Sequence, residues 1–375
     1  MSFKSGALKM RKIKVDTLFL VSIIILVGVG YLIFTSASFG LLSTQTAKYA
    51  NVAFNQTFFG LFLGVLACAI VSQIDYKIYR KYSLFIFLFS IIITLLVFMP
   101  GLGIKHGGAS RWINLGFLTF QPSEFLKIGF IIFLSAWIAR VKDKNQTFRY
   151  GFLPFLIMIV LVGVILLKQP DTDTFVITAV TGLAIFLTGN GRWRYVLASG
   201  VIGMLVFIGV ALSTPYIMSR IETFINPSSN ALGSGYQIQQ SLIAIGSGGI
   251  FGRGFGQSIQ KFNVLPEPIG DSIFAVACEE FGFVGGIGII LLFMFFAFRG
   301  LKIASKTPDL FGRLVVVGIV IMIMSQAFVN IGAMVGVLPL SGITLPFISH
   351  GGTALFMTLL EVGIVLNISK NQKSR

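Results

Sequence analysis

Residues 272–298 read "SIFAVACEEFGFVGGIGIILLFMFFAF", an apolar run broken by two adjacent carboxylates, Glu279 and Glu280. As a helix rising 1.5 Å per residue, the run reaches about 40 Å, more than the roughly 30 Å of a bilayer's hydrocarbon core. A strand of a membrane barrel would be shorter and would alternate in polarity. The stretch therefore reads as a membrane-crossing helix. Charge is expensive at that depth, so at least one of the two glutamates is expected to face protein.

Similar runs recur at roughly 17–36, 53–73, 82–100, 121–140, 150–167, 173–189, 193–213, 314–338 and 346–368. The 375-residue chain is 55% hydrophobic and 11% charged, with a mean hydropathy of +0.90. Soluble domains carry about twice that share of charge. The expected fold is all-α: a polytopic membrane protein of about ten transmembrane helices, treated as one domain over residues 1–375. Both termini then lie on one side, as a basic tail at 1–15 and a short tail at 369–375. Most of the 29 Lys and Arg fall on that side. The positive-inside rule makes it the cytoplasm and accounts for the net charge of +16 without nucleic acid.

The longest connection, residues 214–271 between helices seven and eight, is expected on the outer face. It is Gly-rich, and Ile238, Leu242 and Ile245 fall at helical spacing, so short interfacial helices are expected. The outer loop 101–120 carries Lys105, His106, Arg111 and Trp112. Trp112 reads equally well as a membrane-belt anchor. In "LPFISHGGT" the prolines and glycines predict irregular backbone, which survives at membrane depth only beside protein or a water-filled cavity. "GSGGIFGRGFGQ" is neither a P-loop nor a dinucleotide fingerprint, and no HExxH occurs. The only cysteines, Cys68 and Cys278, lie within spans, which argues against a disulfide framework.

Acidic residues number 13, and four of them, Glu267, Asp271, Glu279 and Glu280, fall within 267–280. Asp271 opens the apolar run, where a carboxylate is a natural N-cap; that is the plain alternative to a chemical role. Glu124 and Lys127 are three apart, as are the members of a helical ion pair. Gln326 and Asn330 share a face of helix nine and could simply bond a neighbouring helix. Asp171, Asp173 and Glu361 are further charges at membrane depth. Carboxylates and cations thus gather at the outer face. The set suits an anionic, lipid-linked substrate whose attacking hydroxyl gives its proton to a carboxylate. Transfer and transport are not separated by this reading.

The segments "GASRWINLGFLTFQPSEFLK", "GYQIQQSLIAIGSGGIFGRGFGQSIQKFNVLPEP" and "NIGAMVGVLPLSGITLPFISHGGT" resemble the SEDS family of bacterial cell-wall polymerases (FtsW, RodA, SpoVE). The resemblance runs over most of the chain and leans to the FtsW/SpoVE branch. It implies polymerisation of lipid II into peptidoglycan glycan strands at the outer face of the cytoplasmic membrane, with inversion, in cell division. A lipid II flippase, a RodA-type elongation polymerase and a non-catalytic scaffold are the alternatives. It further implies Asp271 as the catalytic carboxylate. Substrate contacts are expected from Glu124, Lys127, Arg111, Trp112, Lys261, Glu267, Gln326 and Asn330. Glu279 and Glu280 are expected to support the cavity of Asp271. No protein metal site is indicated, although a divalent cation, Mg2+ or Mn2+, is compatible with a diphosphate. Expected partners are a class B penicillin-binding protein, docked along helices eight and nine with Gly285, Gly286 and Gly288 allowing close approach, and other division-complex proteins. The chain departs from the family pattern at Gly270 and Ser272, which flank Asp271, around Asp173, and at His350.

Overall fold

The computed structural model describes residues 15–44, 46–106, 109–114, 119–226, 233–262 and 264–372. The basic tail at 1–14 and the last residues, 373–375, lie outside them.

Each expected span contains a helix, although the last begins at Gly352 and not at 346. The first is α1 (Thr17–Thr44). The second joins α2 (Thr46–Phe54), a π-helical stretch (Asn55–Phe62) and α3 (Leu63–Val71). A short α4 (Lys77–Lys81) precedes α5 (Ser83–Leu95). Then come α6 (Pro122–Val141), α7 (Leu153–Lys168), α8 (Thr172–Thr188) and α9 (Trp193–Ser213). The long connection holds α10 (Pro215–Ile225) and α11 (Ser234–Ser247). The last three spans are α12 (Ile273–Lys306), α13 (Leu310–Met334) and α14 (Gly352–Ser369). Among the described residues, six of the spans are long and apolar enough to cross a membrane by length and composition, including Ile273–Lys306 and Leu310–Met334.

The bundle is built around α13, which packs against α6, α8, α12 and α14. Helix α14 fits against α3 and the π-helical stretch with almost no separation, through small residues. A Cβ on Gly352 would stand 2.7 Å from the Asn55 carbonyl oxygen, and one on Gly363 2.9 Å from that of Cys68. Polar residues on α14, including Glu361 and Asn367, accordingly sit inside protein. The two cysteines are free.

The loop 101–120 is more ordered than an irregular connection. It forms a small antiparallel sheet of β1 (Gly103–His106), β2 (Ala109–Asn114) and β3 (Thr119–Phe120) in the order β1-β2-β3. The pattern of its residues carries no clear period of two, so the sequence alone does not announce it.

Helix α12 is broken once, at Gly282 (φ 67°, ψ −166°). The glycine-rich stretch enters this break. The Arg253 and Gly254 amides donate to the carbonyls of Glu279 and Glu280, and the Phe283 and Val284 amides donate to those of Gly249 and Ile250. A Cβ on Gly282 would lie 2.3 Å from the Gly252 nitrogen, so the contact itself requires glycine. Gly248 and Gly252 of "GSGGIFGRGFGQ" therefore serve backbone-to-backbone packing against α12.

Glu279 and Glu280 staple the same segment to the bundle. Glu279 accepts from Ser258 Oγ (2.6 Å) and from the amides of Ile259 (3.0 Å) and Gln260 (3.3 Å). Glu280 pairs with Lys261 Nζ at 2.7 Å and accepts from Ser36 Oγ at 2.6 Å. The Lys261 ammonium also donates to Ser36 Oγ and to the Gly256 carbonyl. Both charged side chains of this pair are 0% exposed. Breaking such a pair from one side strands a buried charge, at a cost of roughly 3–5 kcal/mol. Lys261→Met should therefore destabilise the purified protein by about that much in a detergent unfolding titration. Lys261→Met with Glu280→Leu should recover most of the loss. A double variant as unstable as the single one would show that the ion pair is not what holds this segment.

Candidate active site

At the end of the bundle where β2, α10 and the 339–351 segment meet, the structure encloses a cavity of about 680 Å³. Its walls come from stretches far apart in sequence: Arg111 and Trp112 of β2, Arg220 of α10, Glu267, Gly270 and Asp271 before α12, Gly342 and His350 after α13, and Lys48 and Asn55 of the second span.

Asp271 lies two residues before the start of α12 and does not cap it. The capping position is Ser272, which makes no side-chain capping bond and instead accepts from Gln237 Nε2 at 3.0 Å. Asp271 is held through its backbone. Asn330 Nδ2 donates to the Asp271 carbonyl and to that of Ile343, at 2.8 Å each. On either side, Ser349 Oγ donates to the Gly270 carbonyl (2.8 Å) and the His350 amide to that of Ile269 (2.7 Å). The irregular 339–351 segment thus locks the turn that presents Asp271. The carboxylate itself stays partly open to the cavity. Burial and then the charge of nearby Glu267 push its pKa up to about 7, against the pull of Arg220 and Arg111.

Both arginines already have acidic partners. Arg111 faces Asp171 at 3.7 Å and donates to the Pro170 carbonyl. Arg220 bonds Asp173 at 2.9 Å, and Asp173 also accepts from the Gly342 amide at 3.3 Å. These pairs fasten β2, α8, α10 and the 339–351 segment into one rim. A Cβ on Gly342 would stand 3.9 Å from both Arg111 Nη1 and Asp271 Oδ2, so a bare glycine separates cation and carboxylate. Burial holds Asp171 above the ordinary carboxylate range despite Arg111.

Four of the expected site residues, Asp271, Glu267, Arg111 and Trp112, line the cavity. Glu267 is exposed at its rim, with a left-handed φ of 46° just before Pro268. Asn330 acts on the backbone beneath Asp271. Glu124 and Lys127 form their helical pair at 2.8 Å, and Gln326 is buried one turn from Asn330; none of these three is in the cavity wall. Lys261 differs most from expectation, because its ammonium is committed to Glu280 and cannot reach a substrate in the cavity. Glu279 and Glu280 likewise hold the 258–261 segment and do not line the cavity. The sequence reading passed over Lys48, Asn55 and Thr353. Lys48, in α2, reads as an ordinary lysine near the start of a span, and nothing in the sequence marks Asn55 as the start of a π-helical stretch. His350 stood out only as a departure from the family pattern. Its ring stacks on Phe34 at 6.0 Å, and burial, followed by the charge of Lys48, pushes its pKa down to about 4, leaving a neutral imidazole.

No group of three or more His, Cys, Asp or Glu side chains among the described residues is arranged to hold a metal ion. Asp171 and Asp173, two carboxylates close in sequence beside the cavity, each face an arginine. The donor set does not fit a resident cation.

Residues 16–374 match the family model of the cell cycle proteins FtsW, RodA and SpoVE. The chain belongs to this family. It is 39% identical to the stage V sporulation protein E of Bacillus subtilis over 367 residues, covering 96% of this chain and 98% of the relative. It is 36% identical to a probable peptidoglycan glycosyltransferase FtsW of Trichlorobacter lovleyi, covering 96% and 94%. These relatives agree with the FtsW/SpoVE leaning of the sequence motifs. Among solved structures, a chain of a peptidoglycan synthase complex superposes with a TM-score of 0.79 at 24% identity, covering 96% of this chain and 99% of that one. RodA of Thermus thermophilus superposes with a TM-score of 0.70 at 23% identity, covering 96% and 98%. The helical membrane architecture is that of the family.

Proposed function

We propose that this chain is a peptidoglycan glycosyltransferase that polymerises lipid II, with Asp271 as general base. The observation that carries the reading is the state of Asp271: a carboxylate on the cavity wall, free of capping duty, whose pKa of about 7 suits proton transfer near neutrality. Asp271 takes the proton from the 4-hydroxyl of an acceptor disaccharide. The freed oxygen attacks the anomeric carbon of the donor chain. The bond from that carbon to the diphosphate breaks, and polyprenyl diphosphate departs with the electron pair, giving inversion. Arg111 and Arg220 set the field in which Asp271 ionises, and Trp112 offers an apolar wall for a sugar face.

Asp271→Asn keeps size but cannot accept the proton. Glycan polymer formed by the purified variant from labelled lipid II should fall by at least about 10²-fold, with normal expression. Near-wild-type polymer would remove Asp271 from the mechanism. Because the base must be ionised, the wild-type rate should rise with pH through about 7 and level off above it. Glu267→Gln removes a charge that raises the Asp271 pKa, so it should shift this limb to lower pH. An unmoved limb would separate Glu267 from the site.

By the positive-inside rule, the bacterial cytoplasmic membrane holds this chain with both termini in the cytoplasm and the cavity outward. An impermeant thiol reagent on intact cells should label Glu267→Cys and spare Lys144→Cys; the reverse pattern would invert the topology.

A class B penicillin-binding protein is the proposed partner, because the synthase complex whose chain superposes on this one coordinates polymerization with crosslinking. On α12, Gly286 faces inward, with a Cβ there only 2.9 Å from Cys278 Sγ, whereas nothing lies within 4 Å of a Cβ on Gly288. The outward strip of Val284, Ile287, Gly288 and Leu291 is therefore the surface for a partner helix. Gly288→Phe should reduce co-purification with the partner while leaving thermal stability unchanged. Undiminished co-purification would rule out this strip.

A further inference from the structure

The cavity has a second polar wall, opposite in chemistry to the one around Asp271. It is made by the first turn of α14, by the start of the π-helical stretch, and by Lys48. On this wall three buried polar atoms have no hydrogen-bond partner: Thr353 Oγ1, His350 Nε2 and Asn55 Oδ1. Thr353 is only 6% exposed, so its hydroxyl is withdrawn from water without compensation. An unmade bond of this kind costs free energy unless a ligand completes it.

The same wall is electropositive. Gly351, at the capping position of α14, offers no side-chain cap, and the first intrahelical bond runs from the Leu355 amide to the Gly351 carbonyl. The amides of Gly352, Thr353 and Ala354 thus have no acceptor within the helix, at the positive end of its dipole. Lys48 adds a full charge, and no carboxylate lies within ion-pair distance of it among the described residues. Arg111 and Arg220, by contrast, are each neutralised by an aspartate. The wall is rigid: Gln56 accepts from the Gly351 amide (3.0 Å) and donates to the Ser349 carbonyl (3.3 Å).

We infer that the first turn of α14, with Thr353, His350 and Lys48, binds the diphosphate of the polyprenyl-linked donor. The inference rests on the glycosyltransferase reading and assigns its leaving-group subsite. The phosphate oxygens would accept from the free amides, from Thr353 Oγ1 and from the Lys48 ammonium. A neutral His350 donates through Nε2 in one tautomer and adds no charge. Asn55 Oδ1, on the same wall, suits a sugar hydroxyl or amide beyond the diphosphate. The donor's leaving group and the base at Asp271 then occupy different walls of one cavity, as an in-line displacement requires.

The test is calorimetric titration of the purified protein in detergent with farnesyl diphosphate, farnesyl monophosphate and inorganic pyrophosphate. Thr353→Val keeps shape and removes the hydroxyl. Lys48→Gln changes an exposed side chain, so folding is not at stake. Each should weaken binding of farnesyl diphosphate about tenfold, the low end for losing one bond to a charged group. Inorganic pyrophosphate should lose affinity in the same two variants, and the monophosphate should bind more weakly than the diphosphate to wild type. Unchanged affinity in both Thr353→Val and Lys48→Gln would overturn the assignment. So would a loss confined to the prenylated compounds, which would place these residues along the lipid tail. Polymerisation is scored separately: a wild type that makes no glycan would defeat the activity, whereas the titrations judge the subsite on binding alone.

Discussion

Inside a bilayer, a backbone amide or carbonyl that leaves its helix must find another protein partner, because no water is there to replace it. Among the described residues, three departures from regular α-helix bear on the cavity, and each meets a different segment. The break at Gly282 in α12 is filled by the amides and carbonyls of 249–254. The non-helical 339–351 stretch is bonded by Gln56, Asn330 and the turn at 269–270. The π-helical opening of the second span lies against the glycines of α14. These repairs turn one end of a helical bundle into a fixed cavity, and the turn bearing Asp271 is held by two of the same strands of chain.

The charges follow from that architecture. Lys261 and Glu280 can exist in the interior only as a pair, and the pair fastens the loop that precedes Asp271. Arg111 and Arg220 are partly spent on Asp171 and Asp173, so they lower the pKa of Asp271 less than free arginines would. Burial therefore wins, and the carboxylate comes to rest near the pH at which it works. A stronger cation at the rim would keep it ionised but make it a weaker base.

The helices were legible in the sequence because an apolar run of 18 or more residues has few other stable forms in lipid. Asp271, Arg111 and Trp112 were legible because their sequence segments resemble a known family. Three features were not. The sheet at 103–120 is short and lacks alternation. The break at Gly282 looks like any glycine in an apolar run, since the partner that demands it lies some thirty residues upstream. Lys261 reads as an outward cation because a sequence displays charges but not the buried carboxylate that claims one of them. Lys48 shows the converse: an unremarkable lysine becomes the cavity's unpaired cation only once the second span folds back against α14.

The distribution of polar groups also bears on polymerase against flippase. A flippase needs a polar route for its headgroup through the whole bundle. Here the polar groups descend from the cavity through Lys127 and Glu124 to Glu361, about midway along α14. Below that level Val316 and Val320 of α13 and Val362, Val365 and Leu366 of α14 are all buried, and the polar Asn367 is held by Tyr76 and Ser72. Opening a route there would mean separating the most buried helix of the bundle from its neighbours. A polar cavity at one end of a bundle whose other half is largely apolar and buried suits a substrate that enters and leaves on one side, which is the geometry of transfer between two lipid-linked sugars.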